Sequence, residues 1–185
     1  MSNIAVVASG AGGVEELREQ LVVPLIELGH TVAVTLTPTA GLWLESTGEV
    51  AALEQVTDFP VRWKSRLPSD PRPHPQPDVI VAAPWSANST AKLALGIADN
   101  QALTFICESM TLVPTIVFPR INAAHARQPA WTSHVEALRA TGVHLIEGPD
   151  LWPLHEPRQG SNPLPWPQIV ALTHSLASTD ESTSK

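Results

Sequence analysis

Short runs of apolar, β-branched residues recur along the chain, and each ends in small or polar residues. The first run covers residues 4–8 and breaks at the glycine-rich stretch 9–13. Apolar residues then recur at three- and four-residue steps over 14–28, which predicts a helix packed on a sheet. Gly29 ends this predicted helix, and Pro24, which removes an internal hydrogen bond, is expected to bend it.

The rest of the chain repeats this alternation of strand and helix. Further strands are predicted at 31–36, 78–83, 115–118 and 143–146, and further helices from 37 onward and at 86–98, 102–109, 129–141 and 168–177. A β-α-β start implies a right-handed crossover and parallel strands. The predicted fold is therefore a single three-layer α/β/α domain with a mainly parallel sheet, whose ligands bind beyond the carboxyl ends of the strands.

Two proline-rich segments interrupt this pattern. Residues 60–77 and 148–167 carry six prolines each, so neither supports a helix or a central strand, and the first is expected to be a mobile loop. Residues 178–185 are small, polar and charged, and we expect a disordered tail there. The domain is predicted to span 1–177.

Charge and cysteine content exclude several classes of partner and site. The net charge is −7 with 11 Lys+Arg and no basic cluster, which argues against a nucleic-acid or anionic-membrane partner. We expect no membrane span and no secretory signal. Cys107 is the only cysteine, which excludes an internal disulfide and a Cys-rich zinc site; no metal site is predicted, and the expected location is the cytoplasm.

Small and hydroxyl-bearing residues follow the predicted strands. Ser9 and Gly10 begin a turn after the first strand. This turn either binds a phosphate or is only a tight turn without a ligand. Thr37 and Thr39 follow the second strand and either face the same crevice or cap a helix. Hydroxyl- and amide-bearing side chains start the helix after the third strand, and a P-R-I-N stretch follows the fourth.

The order of these motifs resembles the flavin-containing cysteine decarboxylases. Pro84-Trp-Ser-Ala-Asn-Ser89 is similar to the P-A-S-A-N-T motif of that family, and Gly96 through Asn100 matches G-x-x-D-N. Pro119-Arg-Ile-Asn122 is similar to P-x-M-N, with isoleucine in the methionine place. The resemblance covers residues 4–177 and implies a Rossmann-like flavoprotein domain.

Carried over by position, the resemblance implies FMN as cofactor and a homo-oligomer, a trimer or possibly a dodecamer. The residues it assigns to FMN are Ser9, Gly10, Thr37, Thr39, Ser86, Asn88 and Ser89. It places Asn88 and Asn122 toward the substrate and makes Asn122 catalytic. The expected activity is oxidative decarboxylation of the C-terminal cysteine of a ribosomally made peptide to an aminoenethiol.

Two departures from the family pattern leave alternatives open. The candidate base is His74. Residues 74–77 do not match the family's H-[IV]-x-[IL] pattern, so the alternative is that His74 is a solvated loop histidine. No cysteine occurs over 148–167, which disfavours a phosphopantothenoylcysteine decarboxylase, the first alternative. The second alternative is a non-catalytic, FMN-binding regulatory subunit. Trp152 and Trp166 either clamp a peptide end or cover the core edge.

Overall fold

The computed structural model describes residues 1–159 and 162–179. The strands are β1 (Asn3–Ala8), β2 (Thr31–Leu36), β3 (Val79–Trp85), β4 (Thr115–Pro119) and β5 (His144–Leu145). The α-helices are α1 (Val23–Glu27), α2 (Pro38–Ser46), α3 (Glu49–Thr57), α4 (Ala87–Ala94), α5 (Gln101–Ser109), α6 (Ala123–Ala126), α7 (Trp131–Ala140) and α8 (Trp166–Thr179). The predicted alternation of strands and helices is confirmed.

The described strands form one five-stranded sheet in the order β2-β1-β3-β4-β5. All neighbouring pairs are parallel, because each connection crosses over through helical structure. The strand order reverses between β1 and β3, so the chain leaves these two adjacent strands in opposite directions. A crevice opens at such a switch point, at the carboxyl ends of the strands.

The core divides into two layers, one on each face of the sheet. Ile4 and Val6 of β1 belong to the cluster that also holds Ile169 of α8. Val7 points to the opposite face and belongs to the cluster with Leu138 of α7 and Ile106. Side chains alternate across a strand, so β1 supplies both layers. This arrangement confirms the predicted three-layer α/β/α architecture.

The first helical segment differs from the single bent helix that the sequence predicts. It starts as a 3₁₀ turn at Val14–Glu16, continues as π-helix over Arg18–Val22 and becomes α-helix only at Val23–Glu27. Pro24 has no N–H, and its ring crowds the carbonyl four residues earlier. The wider π-turn before Pro24 accommodates that conflict, and the bend expected at Pro24 stays a prediction.

Part of the first proline-rich segment is ordered against the sheet. Arg62 N–H donates to the Val34 carbonyl at 3.1 Å, and Leu36 N–H donates to the Arg62 carbonyl at 2.7 Å. Trp63 then packs over Gly41, where a Cβ atom would lie 2.3 Å from the indole. Arg62 therefore extends the sheet beside β2, whereas a mobile loop was expected there.

At the carboxyl end of the chain, α8 runs through Ser178 and Thr179, so the predicted tail begins two residues inside a helix. Its remaining positions, 180–185, lie outside the described residues, and their disorder stays a prediction. In the part of the chain that the structure describes, no helix has the length and apolar character needed to span a membrane.

Candidate active site

A pocket of about 460 Å³ lies at the carboxyl ends of β1, β2 and β3. We call it the switch-point pocket. Residues predicted from the sequence to bind the cofactor supply much of its wall: Gly10, Thr37, Thr39, Ser86, Asn88 and Ser89. The wall also contains residues to which the sequence assigned no role: Pro38, Ala87, Lys92, Asp99, Asn100 and His125. The structure thus brings six of the seven predicted cofactor ligands together.

Ser9 is the predicted ligand that does not line this pocket. Its side chain is 1% exposed, and its hydroxyl is used inside the protein. Oγ accepts a hydrogen bond from Ser86 N–H at 2.7 Å and donates to the Pro84 carbonyl at 3.2 Å. Ser9 therefore joins the end of β1 to the start of α4 and shapes the pocket from behind its wall.

Gly10 is needed for the close approach of two pocket walls. A Cβ atom at this position would lie 2.6 Å from Thr39 Cγ2, well inside van der Waals contact. The turn after β1 can therefore pack against the first turn of α2 only without a side chain. The next glycine, Gly12, is less crowded, since its nearest neighbour is an Arg120 guanidinium nitrogen at 3.8 Å.

Helices α2 and α4 begin at the pocket beside the turn after β1. Thr37 occupies the N-cap position of α2, but its side chain makes no capping hydrogen bond, so helix capping does not account for this threonine. Ser86 does cap α4, since its Oγ accepts from Ser89 N–H at 3.2 Å and donates to Ser89 Oγ at 3.1 Å. Backbone N–H groups and the positive ends of helix dipoles favour a bound anion at this position.

Another side of the wall is supplied by Lys92 of α4, by the G-x-x-D-N stretch and by α6. Asn100 caps α5 by accepting from Ala102 N–H and Leu103 N–H at 3.1 Å each. Lys92 and Asp99 form an ion pair, and the hydrogen bond from Lys92 holds the pKa of Asp99 below its usual value. The stretch therefore closes one side of the pocket with paired charges.

His125 is the pocket residue that sequence reasoning missed. The sequence pattern gives it no role in a site, but it lines the switch-point pocket from α6. The available signal was its position three residues after Asn122. Asn122 caps this short helix, and its Oδ1 accepts from His125 N–H at 3.0 Å.

Asn122 itself faces a second, smaller pocket together with Arg120 and Trp152. Its carbonyl oxygen is used in the α6 cap, which leaves the amide nitrogen as the part of the side chain that can donate to a ligand. Asn88 is exposed on the wall of the switch-point pocket. The two asparagines assigned to the substrate thus face different pockets of this chain.

His74 lies apart from both asparagines. Its Nε2–H donates to the Pro60 carbonyl at 2.7 Å, and its ring meets Phe59 edge to face at 6.2 Å. It lines a surface pocket with Arg62 and α5. Burial lowers the pKa of His74, the Pro60 carbonyl opposes this shift, and the charge of Arg62 adds to it. The single chain does not bring His74 to the switch-point pocket.

The switch-point pocket fits a phosphorylated cofactor of the FMN kind. It combines hydroxyl donors, two helix N-termini and a turn that stays narrow because Gly10 has no side chain. Its volume is in the range of about 300–1,000 Å³ that is usual for small-molecule sites. Within residues 1–159 and 162–179, no group of three or more metal-ligating side chains is arranged to hold a metal ion.

Comparison with known proteins agrees with this architecture. The Flavoprotein family matches residues 1–178. The chain belongs to the Flavoprotein family. Among solved structures, the FMN-dependent cysteine decarboxylase TvaF from thioviridamide biosynthesis superposes with a TM-score of 0.72 at 21% identity, over 96% of this chain and 99% of that chain.

HAL3 from Cryptococcus neoformans superposes with a TM-score of 0.70 at 18% identity, over 98% of both chains. At these identities the superpositions establish a shared fold. The phosphopantothenoylcysteine decarboxylase of Oryza sativa subsp. japonica is 32% identical over 69 residues, which are 37% of this flavoprotein and 31% of the rice protein. The chain thus matches less than a third of the length of this curated relative.

Proposed function

We propose that the switch-point pocket binds FMN. The observation that carries this proposal is the convergence of Gly10, Thr37, Thr39, Ser86 and Ser89 on one crevice between β1 and β3. Hydroxyls and backbone N–H groups at helix N-termini suit the phosphate and the ribityl chain. Membership of the Flavoprotein family and the fold shared with FMN-dependent TvaF support the same assignment.

The proposed reaction is oxidative decarboxylation of the C-terminal cysteine of a ribosomally made peptide. Loss of CO₂ leaves an electron pair on the α-carbon, and an unmodified thiol side chain cannot accept it. Bound FMN supplies the two-electron oxidation that turns the side chain into a thioaldehyde, and decarboxylation then gives the aminoenethiol. The protein binds the peptide end, orients its carboxylate and excludes water.

Asn122 is proposed to hold the substrate carboxylate through its amide nitrogen. The α6 cap fixes the side chain, since Oδ1 is engaged by His125 N–H, so the amide is pre-oriented before substrate arrives. A neutral amide also suits this step chemically. It can hold a carboxylate without the strong ground-state stabilisation that a cation gives, which would oppose loss of CO₂.

His125 is the imidazole best placed to exchange a proton with a substrate at the switch-point pocket, since it lines the wall. A catalytic role for His74 would require the pocket of a neighbouring subunit. Such assembly is part of the proposal: Leu42 and Trp43 on α2 are 61% and 49% exposed and lie just after Thr39. Apolar side chains beside a site suit a homo-oligomer, which we propose to be a trimer or a dodecamer.

A second candidate is decarboxylation of phosphopantothenoylcysteine, which the partial match to the rice enzyme favours. The chain carries no cysteine over 148–167, where the resemblance to the family implies a proton-donating cysteine for that reaction. We therefore rank the peptide substrate first. A non-catalytic FMN-binding role is the outcome if neither substrate is turned over.

Mass spectrometry of the products separates these functions. The FMN-loaded protein is incubated with a cysteine-ended peptide and, separately, with phosphopantothenoylcysteine. Loss of about 46 mass units from the peptide, CO₂ plus two hydrogens, supports the first proposal. Loss of CO₂ from phosphopantothenoylcysteine alone supports the second, as about 44 mass units if the two hydrogens are returned to the product and about 46 if they are not. FMN binding with no loss from either overturns both enzymatic assignments and leaves the cofactor assignment standing.

A further inference from the structure

A further pocket, of about 380 Å³, lies between the first proline-rich segment and α5. We call it the basic pocket. Among the described residues, it shares none with the wall of the switch-point pocket. Three arginines that are four and six residues apart in the sequence line it together: Arg62, Arg66 and Arg72. Folding therefore concentrates positive charge at one place in a chain whose net charge is −7.

The arginines of the basic pocket have no carboxylate partners. Across residues 1–159 and 162–179, none of the three takes part in an ion pair. The acidic residue on the wall is Glu108. With His74 neutral, three guanidinium groups and one carboxylate leave a formal surplus of two positive charges. Other arginines of this chain do pair with a glutamate each: Arg18, Arg127 and Arg139.

This surplus of charge is unfavourable for the protein alone. The half-buried Arg62 shows the effect, because burial lowers its pKa and the charges of Arg66 and Arg72 lower it further. A guanidinium nevertheless stays charged at neutral pH, so the repulsion between the three side chains remains. A bound anion would replace this repulsion with charge-assisted hydrogen bonds.

Hydrogen bonds hold the wall of the basic pocket in place. The Arg62 backbone is paired with β2, and His74 Nε2–H donates to the Pro60 carbonyl at 2.7 Å. Arg66 Nη1 donates to the Leu67 and Asp70 carbonyls at 3.2 and 3.1 Å. The Asp70 carboxylate is itself engaged, since Oδ2 accepts from Leu67 N–H at 2.7 Å. The arginines are thus partly positioned before a ligand arrives, which favours binding.

We propose that the basic pocket binds a phosphate group, either free inorganic phosphate or a phosphate monoester, through Arg62, Arg66 and Arg72. A phosphate monoester carries a charge of about −1.5 to −2 at pH 7 and three acceptor oxygens, which matches the surplus at the wall. The planar donor fork of arginine suits such oxygens. Phe105 of α5 adds apolar surface for the body of an ester.

The proposal is tested by calorimetry on the full-length, FMN-loaded protein after removal of free FMN. The probes are phenyl phosphate, inorganic phosphate and benzoate, the last of which carries the same ring on a singly charged carboxylate. Absorbance of bound FMN is recorded throughout, so that loss of the cofactor is distinguished from binding at the basic pocket. If the chain takes up no FMN, the same titrations are made on the protein as purified, because the variants locate the site.

We expect one phenyl phosphate per chain, bound at least about tenfold more tightly than benzoate. Arg72→Gln should weaken phenyl phosphate binding by about tenfold, since a charge-assisted hydrogen bond is lost. Arg72 is exposed, so this variant should fold. Arg62→Gln should show a loss of similar size. The matched control is Lys64→Gln, which removes one charge from the same segment outside the basic pocket and should retain the wild-type affinity.

The pKa of His74, followed by NMR, locates the ligand independently. A bound phosphate dianion should raise this pKa, because it offsets the positive charge of Arg62 at the same wall. A pKa that does not move at saturation would place the phosphate elsewhere and overturn the proposal.

The two sources of the phosphate group differ in their binding. Equal affinities for inorganic phosphate and phenyl phosphate support free phosphate as the ligand, and tighter binding of phenyl phosphate supports an ester. The proposal is overturned if neither phosphate probe binds the wild type, if benzoate binds as tightly as both, or if Lys64→Gln weakens binding as much as the two arginine variants. Retention of FMN is unaffected by these outcomes, so the cofactor assignment is judged separately.

Discussion

The Ser9 hydroxyl accepts a hydrogen bond of 2.7 Å from Ser86 N–H. This bond joins the turn after β1 to the N-terminus of α4, on the two sides of the point where the strand order reverses. Ser9 is buried and does not line the pocket. Its effect on a cofactor would be indirect, through the distance that it sets between Gly10 and Ser86.

Ser9→Ala should therefore destabilise the fold. The substitution leaves Ser86 N–H without its acceptor in a part-buried position, and a lost bond of this kind costs about 1–3 kcal/mol. Urea unfolding measures the change. Ser46→Ala is the control, since Ser46 donates to the Trp43 carbonyl on an exposed helix face, and it should change stability by about 0.5 kcal/mol or less. Equal effects of the two substitutions would show that the Ser9 bond has no special role.

Gly10→Ala should weaken FMN binding, because the new Cβ atom would meet Thr39 Cγ2 at 2.6 Å and push apart two walls of the pocket. A loss of about tenfold in Kd corresponds to about 1.4 kcal/mol. Fluorescence titration of FMN measures it. Gly12→Ala is the matched control in the same turn, since its nearest neighbour is 3.8 Å away. If Thr39 blocks the methyl group, Gly10→Ala combined with Thr39→Ser should recover part of the affinity.

His74 should make the fold sensitive to mild acid. Burial lowers its folded-state pKa below the unfolded value of about 6.5, so the unfolded chain binds the proton more readily. The stability that neutral His74 contributes is present above pH ~6.5 and is lost as the pH falls through the folded-state pKa. Urea unfolding of His74→Asn should show a smaller loss of stability from pH 7 to pH 5 than the wild type. Between pH 7 and pH 8 the difference between the two proteins should stay constant. Identical losses of stability on acidification would contradict this prediction.

His125→Asn should lower peptide decarboxylation more than His74→Asn does. His125 lines the switch-point pocket, whereas His74 is held against Pro60. Removal of a proton-transfer group costs about 100-fold or more in kcat. Both variants are first loaded with FMN, so that a cofactor defect is separated from slow turnover. If only His74→Asn shows a large loss of decarboxylation activity, His74 is the base. A subunit interface would then have to bring His74 to the switch-point pocket.

The layers of this fold could be predicted from the sequence, because buried parallel strands are short apolar runs. The length of these runs, and the helical period of the apolar residues between them, distinguish strands from helices. The sequence also brought six hydroxyl, amide and glycine positions to one crevice, since parallel strands end at one edge of a sheet. It did not reveal the orientation of Ser9, because the partner of its hydroxyl, Ser86 N–H, lies 77 residues away in the sequence. The helix α3 was not predicted either, although Val50 and Leu53 repeat at helical spacing.

Long proline-rich segments have no periodicity that fixes their path. The positions of His74 and of Trp152 therefore come from tertiary contacts: the Pro60 carbonyl in one case, and Arg120 with Phe118 in the other. The position of His125 could not be predicted either. It lies in the four-residue helix α6, which is too short to show a helical pattern of apolar residues. The candidate cofactor site was thus largely predictable, and the surroundings of a substrate were not.

The most direct test of the account is the absorbance spectrum of the purified full-length protein, before and after incubation with FMN and removal of the free cofactor. We predict a yellow protein that retains one FMN per chain, with retention reduced in Gly10→Ala and preserved in Gly12→Ala. A colourless protein that takes up no FMN under these conditions would contradict the cofactor assignment and the decarboxylase proposal that depends on it.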